Sequence, residues 1–140
     1  MRRVVVTGIG ATTPLAGDAI ASWEALLQGK SGIATLEQDW VAKYELPVTF
    51  AGQAKVAASA VLSPQEAKRL DPSSQFALIS AREAWADAGA PEVEPERLAV
   101  DFATGIGGVQ TLLDAWSTLQ ERGPRRVLPM TVPMLMPNGP

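Results

Sequence analysis

The fold class is predicted most clearly by residues 98–108, Leu98-Ala99-Val100-Asp101-Phe102-Ala103-Thr104-Gly105-Ile106-Gly107-Gly108. Residues 98–104 form a short, mostly apolar run, which predicts a buried strand. The glycine corner at 105–108 ends that strand, and apolar residues then recur at helical spacing: Val109, Leu112, Leu113, Trp116 and Leu119. A strand that leads through a glycine corner directly into a helix is the repeating unit of α/β proteins.

The rest of the chain repeats this alternation. The β-branched run Arg2–Ile9 predicts a buried strand, and 47–54 predicts a shorter one. Helix starts are predicted at Asp18, at the capping box that begins with Ser63, and at Asp71-Pro72. We therefore expect one α/β domain with a mixed, largely parallel sheet and flanking helices. Its strands are few for a free-standing sheet, so we expect the sheet to be incomplete.

Composition excludes several kinds of chemistry. The 140 residues contain no histidine and no cysteine. This rules out, within these residues, a Ser-His-Asp triad, a Cys-His pair, a structural zinc site and a thiol redox site. The net charge is −3 and the isoelectric point is about 4.9, so a nucleic-acid partner is not expected.

No membrane, metal or cofactor partner is expected either. The apolar run after Arg3 ends at Thr7-Gly8, too short for a signal peptide, and no run approaches the ~18 residues of a membrane span. We therefore expect a cytoplasmic protein.

Charged residues give only general indications. Glu92, Glu94 and Glu96 flank Pro91 and Pro95 in a connector and are expected to be solvated. Asp101 falls within a predicted buried strand, so it should have a partner or lie at the strand end. The cluster Arg122, Arg125 and Arg126 fits either a solvated turn or a contact with an anion or acidic partner.

Two glycine motifs follow predicted strands. Gly8-Ile9-Gly10 suggests a dinucleotide-binding turn, but Thr13 stands where the third glycine is needed and the helix starts only at Asp18. A tight turn with positive φ is the favoured interpretation. The corner at 105–108 lacks the Lys-Ser/Thr of a phosphate-binding loop, so we expect it to allow close approach to a ligand or to another chain.

The segment 127–140 differs from the rest in composition. It holds Pro129, Pro133, Pro137 and Pro140 together with Met130, Met134 and Met136. Proline at this density excludes a helix interior and a central strand, whereas methionine fills irregular apolar space. These features predict a buried, irregular loop whose covering structure is missing from these residues.

Taken in order, these segments resemble the start of a β-ketoacyl-acyl carrier protein synthase, of the synthase II type. The matching pieces are Val4–Gly10, Thr13–Leu15, Trp23–Ile33, Arg69–Asp71 with Gln75, Ala86–Gly89, Thr104–Gly108, Gly123–Pro129, Val132-Pro133 and Asn138. The resemblance implies a thiolase-like fold, built in that family from two similar α/β halves. Residues 1–140 would be the N-terminal portion of the N-terminal half, and 127–140 an active-site and dimer-interface segment.

The resemblance also implies an activity. Members of this family catalyse decarboxylative Claisen condensation of an acyl thioester with malonyl-acyl carrier protein, and they act as homodimers with acyl carrier protein as partner. Their nucleophile is a cysteine at a helix N-terminus, where the dipole favours the thiolate, and two histidines assist. None of these catalytic residues is present in these 140 residues, so we expect the chain alone to be inactive and to be part of a longer protein.

What the resemblance carries onto this chain is an acyl pocket. Ile106 matches a position that gates the pocket, and Thr131 and Val132 match positions that line the partner subunit's pocket. Gly105, Gly107, Gly108 and Met130 are candidate loop contacts around it. Dimer-interface core remains an alternative role for these residues. A non-catalytic partner subunit of the chain-length-factor type and a nucleotide-binding module remain alternative functions.

Overall fold

The computed structural model of the chain describes residues 3–139, so predictions that include Arg2 or Pro140 extend beyond the described residues at that end. The helices and strands, in chain order, are α1 (Ala19–Leu27), β1 (Ala34–Thr35), α2 (Asp39–Lys43), β2 (Phe50–Ala51), α3 (Pro64–Ala67), α4 (Pro72–Asp87), α5 (Val109–Arg122) and α6 (Thr131–Leu135). Single 3₁₀ turns lie at Ala58–Ala60, Pro95–Arg97 and Pro124–Arg126.

The predicted helix starts are confirmed. The Asp18 side chain accepts the N–H of Ala21 at the start of α1. Ser63 and Glu66 form the reciprocal capping box of α3, and Asp71 caps α4. Glu66 also pairs with Arg82 of α4 at 2.6 Å. This pairing, together with the hydrogen bonds from Ser63, lowers the pKa of Glu66 to about 2. Short-range side-chain chemistry therefore determines where these helices begin.

The predicted parallel sheet is not formed in residues 3–139. The only ladder there is antiparallel and pairs Ala34 with Ala51 and Thr35 with Phe50. The predictions of buried strands at 2–9 and 98–104 are wrong for the residues described: Val4 is 96% and Val100 is 80% exposed. Asp101, expected inside a strand, is likewise exposed. A strand needs a neighbouring strand for its backbone hydrogen bonds, and neither segment has one among the described residues.

The extended segment that leads to Ala11 has no neighbouring strand, and side chains of α4 accept two of its backbone N–H groups instead. The Ile9 N–H donates to the carboxylate of Asp87 at 2.9 Å, and the Ala11 N–H donates to Glu83 at 2.8 Å. The segment therefore runs along the helix in an extended path without belonging to a sheet.

Close packing on α4 also explains the glycines of this segment. A Cβ at Gly8 would lie 2.1 Å from the carbonyl oxygen of Ala84, and one at Gly10 would lie 1.9 Å from that of Ser80. Neither glycine has positive φ, so the expectation of a positive-φ turn is wrong. These glycines are required because the backbone lies directly against the helix.

The buried core is small. Its main cluster is Ala58, Leu62 and Ile79, with Phe76 and Leu78 packed against it. The side chains of Ala25, Val41 and Ala77 are also buried. The apolar stripes predicted on α1 and α5 are present but largely exposed, through Ile20, Trp23, Leu26, Leu27, Val109, Leu112, Leu113, Trp116 and Leu119. Within residues 3–139 no helix is both long and apolar enough to cross a membrane.

The proline- and methionine-rich segment is less irregular than predicted. It contains the short helix α6, and Pro133 lies within its first turn, where the missing N–H has no helical partner to lose. Leu128, Met130, Val132 and Met136 are exposed. The prediction of an irregular loop is therefore wrong for the residues of α6, and burial of this segment beneath other structure stays a prediction.

Candidate functional site

The glycine corner at 105–108 packs against residues 134–137, which form the end of α6 and the residues that follow it. The Gly108 N–H donates to the carbonyl oxygen of Leu135 at 3.1 Å. A Cβ at Gly107 would lie 2.4 Å from the same carbonyl oxygen, and one at Gly108 would lie 2.3 Å from that of Met134. The close approach expected at this corner is therefore made to the chain's own segment 134–137.

Thr104 folds the corner on itself. Its hydroxyl oxygen accepts the N–H groups of Ile106 and Gly107, and Gly107 has φ +80. That conformation suits glycine and strains other residues. The turn leaves the Ile106 side chain 74% exposed at the tip of the corner.

Asp71 caps two helices with one carboxylate. Its Oδ1 accepts the N–H of Ser73 at 3.0 Å, in the first turn of α4. Its Oδ2 accepts the N–H of Thr111 at 3.2 Å and the Thr111 hydroxyl at 2.7 Å, in the first turn of α5. Because the N-cap of α5 is Gly108, which has no side chain to cap with, Asp71 supplies the missing acceptor.

The electrostatics of Asp71 follow from this double role. Burial by itself would raise the pKa of the carboxyl, but the hydrogen bonds from Thr111 and Ser73 outweigh it, so the pKa lies below its usual value. Two helix N-termini also direct their positive ends at the same carboxylate. Asp71 is therefore an anion held between two helices.

The remaining predicted residues lie close by but are not all brought together. Thr131 lines a cavity of about 180 Å³ between α5 and the end of the chain, together with Thr111, Asp114, Ala115, Thr118, Arg126, Val127, Leu128 and Met134. Neither Ile106 nor Val132 lines this cavity, and Val132 is 63% exposed. Met130 precedes α6 as its N-cap residue and is also exposed. Arg126 is among the residues that line the cavity, whereas the sequence predicted either a solvated turn or a contact with an anion or acidic partner at this residue.

A larger concave surface lies between α1 and α4. This groove has a volume of about 620 Å³ and is lined mainly by apolar side chains, including Ile9, Ile20, Trp23 and Leu26. Glu83 lies in it and accepts the N–H groups of Ala11 at 2.8 Å and Ala19 at 2.7 Å. Its carboxylate joins the first segment to the start of α1.

Sequence reasoning missed the second role of Asp71 and did not identify Glu83 at all. Asp71 was recognisable as the cap of α4, but its use by α5 depends on a contact between residues 40 positions apart. One signal was available: a helix that starts at a glycine needs an acceptor from elsewhere. In the part of the chain that the structure describes, no group of three or more acidic residues is arranged to hold a metal ion.

Comparison with known proteins identifies the family of this chain. Residues 1–140 match the family described as Beta-ketoacyl synthase, N-terminal domain. The chain belongs to this family.

Particular relatives are 3-oxoacyl-[acyl-carrier-protein] synthases 2. The chain is 38% identical to that of Mycobacterium tuberculosis strain H37Rv over 136 residues, which is 97% of this chain and 33% of the relative. It is 38% identical to that of Staphylococcus aureus strain COL over 140 residues, or 98% of this chain and 33% of the relative. The chain thus spans about a third of the length of these relatives.

Solved structures agree on the fold. A β-ketoacyl synthase from Burkholderia phymatum STM815 superposes with a TM-score of 0.76 at 27% identity, over 99% of this chain and 35% of that one. A chain from the complex of a type II polyketide synthase acyl-carrier protein with its ketosynthase superposes with a TM-score of 0.70 at 18% identity, over 99% of this chain and 36% of that one. At this identity the likeness shows the fold alone. The predicted ketosynthase N-terminal fold is therefore confirmed, although its parallel sheet is not hydrogen-bonded in residues 3–139.

Proposed function

We propose that this chain forms the N-terminal part of a 3-oxoacyl-acyl carrier protein synthase, which condenses an acyl thioester with malonyl-acyl carrier protein. The observation that carries the proposal is the match to the β-ketoacyl synthase N-terminal domain along all 140 residues. The 38% identity to 3-oxoacyl-[acyl-carrier-protein] synthases 2 supports this substrate class.

In this reaction the acyl group is first transferred to a cysteine, and decarboxylation of the malonyl group then supplies the attacking carbanion. The 140 residues contain neither cysteine nor histidine. We therefore propose that the chain by itself does not catalyse condensation and that its contribution is structural. It would supply part of the acyl pocket, with Ile106 at one wall and Thr131 and Val132 reaching the pocket of a second subunit in a homodimer.

The packing of the corner supports this role. Gly107 and Gly108 contact the backbone of 134–137 so closely that side chains there would collide with it. Ile106 is consequently presented from a corner with little freedom, next to the segment that begins with α6. Such a support suits a side chain that must define the end of a pocket.

A non-catalytic partner subunit of the chain-length-factor type is the alternative. It shares the fold without the nucleophile, and the absence of cysteine and histidine is compatible with it. The two candidates differ in whether the complete gene product can be acylated on cysteine.

Covalent acylation tests the proposal. The complete gene product is incubated with an acyl-acyl carrier protein and its intact mass is measured. The proposal predicts a mass increase equal to one acyl group per polypeptide, removed by hydroxylamine as expected for a thioester. No increase, in a product whose reading frame has glutamine at the position of the family's nucleophile, would favour the partner subunit instead.

A further inference from the structure

Asp71 lies beside the glycine corner that carries Ile106, and the end of α6 packs against the same corner at Gly108. The Asp71 side chain is 3% exposed, and its two oxygens accept four hydrogen bonds from Ser73 and Thr111. A buried carboxylate with this many fixed donors has one favoured orientation. Its position therefore determines where α5 starts relative to α4.

Asp71 also lies next to the glycine corner. A Cβ at Gly108 would lie 2.9 Å from Oδ2 of Asp71 and 2.3 Å from the carbonyl oxygen of Met134. Gly108 is thus packed between the buried carboxylate and the segment that leaves α6. A continuous series of contacts runs from Asp71 through Gly108 to Met134 and Leu135.

We propose that Asp71 is a positioning residue for the acyl pocket, which fixes the distance between the corner that presents Ile106 and the segment that begins at Thr131. The inference rests on the proposed condensing function. Asp71 does not touch the reacting atoms and acts through Gly108 and Thr111. Because Ile106 is proposed to bound the acyl chain, movement of this corner alters which acyl chains are accepted.

The test uses the complete gene product and four substitutions, one of which, Thr111→Ser, keeps the hydroxyl donor. Asp71→Asn removes the charge and replaces one acceptor oxygen by an amide group. Thr111→Val removes only the hydroxyl donor and keeps the side-chain shape. Asp18→Asn is the matched control, because Asp18 also caps a helix, through the Ala21 N–H, but is not among the atoms that surround the corner.

Two measurements separate positioning from general stability. Hydrogen exchange at the Gly107, Gly108 and Thr111 amides reports opening of the corner, and we expect it to be about tenfold faster in Asp71→Asn and in Thr111→Val than in the wild type. The ratio of kcat/KM for long and short acyl-acyl carrier proteins reports the pocket, and we expect this ratio to change about tenfold in Asp71→Asn. Asp18→Asn should change neither, and Thr111→Ser should restore the behaviour of the wild type.

Unchanged exchange at these amides, or an equal loss of kcat/KM for every acyl length in Asp71→Asn, would overturn the inference. A wild-type product with no condensing activity would instead refute the proposed function. The exchange measurement would then still decide whether Asp71 holds the corner.

Discussion

Asp71 and Thr111, 40 residues apart in the chain, are joined by one carboxylate oxygen that accepts both the Thr111 N–H, at 3.2 Å, and the Thr111 hydroxyl, at 2.7 Å. The other oxygen of Asp71 caps α4 through Ser73. Burial of a carboxylate is costly unless it is well hydrogen-bonded, and here the donors at two helix starts offset that cost. The side chain of Asp71 thus joins the N-termini of α4 and α5.

The first prediction concerns pH. The hydrogen bonds hold the pKa of Asp71 below the usual 3.8, so the ionised carboxylate favours the folded state. Its contribution to stability is fully present above pH 3.8 and is lost as the pH falls through the lowered pKa of the folded state. Thr111→Val removes the largest of the effects that lower the pKa, so we expect a higher pKa of Asp71 in this variant. Carboxyl ¹³C NMR titration measures it, and an unchanged or lower value would contradict the prediction.

The second prediction concerns the glycine corner. Gly108→Ala places a Cβ 2.3 Å from the carbonyl oxygen of Met134, so the corner or the segment must move. We expect the free energy of unfolding of the complete gene product, measured by urea denaturation, to fall by about 2 kcal/mol, as in other cases of overpacking.

Gly105→Ala is the matched control for that substitution. A Cβ at Gly105 meets no atom within 4 Å, so the same chemical change should be tolerated with nearly unchanged stability. Equal losses in the two variants would show that the packing of Gly108 has no special importance.

The third prediction concerns Glu83 in the groove between α1 and α4. Glu83→Ala leaves the N–H groups of Ala11 and Ala19 without the acceptor that they share. We expect a loss of about 1 kcal/mol in the free energy of unfolding, typical of a lost helix cap. Glu24→Ala removes the same charge from an exposed site on α1 and serves as the control; a loss as large there would attribute the effect to charge alone.

The helices were more predictable from the sequence than the strands for a physical reason. The caps at Asp18, Ser63 and Asp71 act within one turn, so a few residues of sequence contain the whole interaction. A strand depends on a neighbour elsewhere in the chain, and the predicted strands at 2–9 and 98–104 have no paired neighbour in the described residues.

The candidate site was predictable only in part for the same reason. The glycines at 105–108 predicted that the backbone lies close to another group. In the structure this group is the backbone of Met134 and Leu135. The contact of Asp71 with Thr111 joins distant parts of the sequence, and no local pattern contains it. The roles of Ile106, Thr131 and Val132 in an acyl pocket stay predictions.

The fourth prediction concerns residues 1–140 as an isolated polypeptide. Val4, Val5, Val6 and Val100 are exposed in segments without strand partners, and unpaired apolar segments of this kind associate. We expect concentration-dependent association in sedimentation velocity and no cooperative thermal transition. A monomer that unfolds cooperatively on heating would contradict this.

The proposed condensation is tested by mixing malonyl-acyl carrier protein, an acyl-acyl carrier protein and the polypeptide and measuring 3-oxoacyl-acyl carrier protein by mass spectrometry. We expect this product, with release of carbon dioxide, from the complete gene product and none from residues 1–140 alone. Product formed by residues 1–140 alone, or no product from a correctly folded complete gene product, would contradict this expectation.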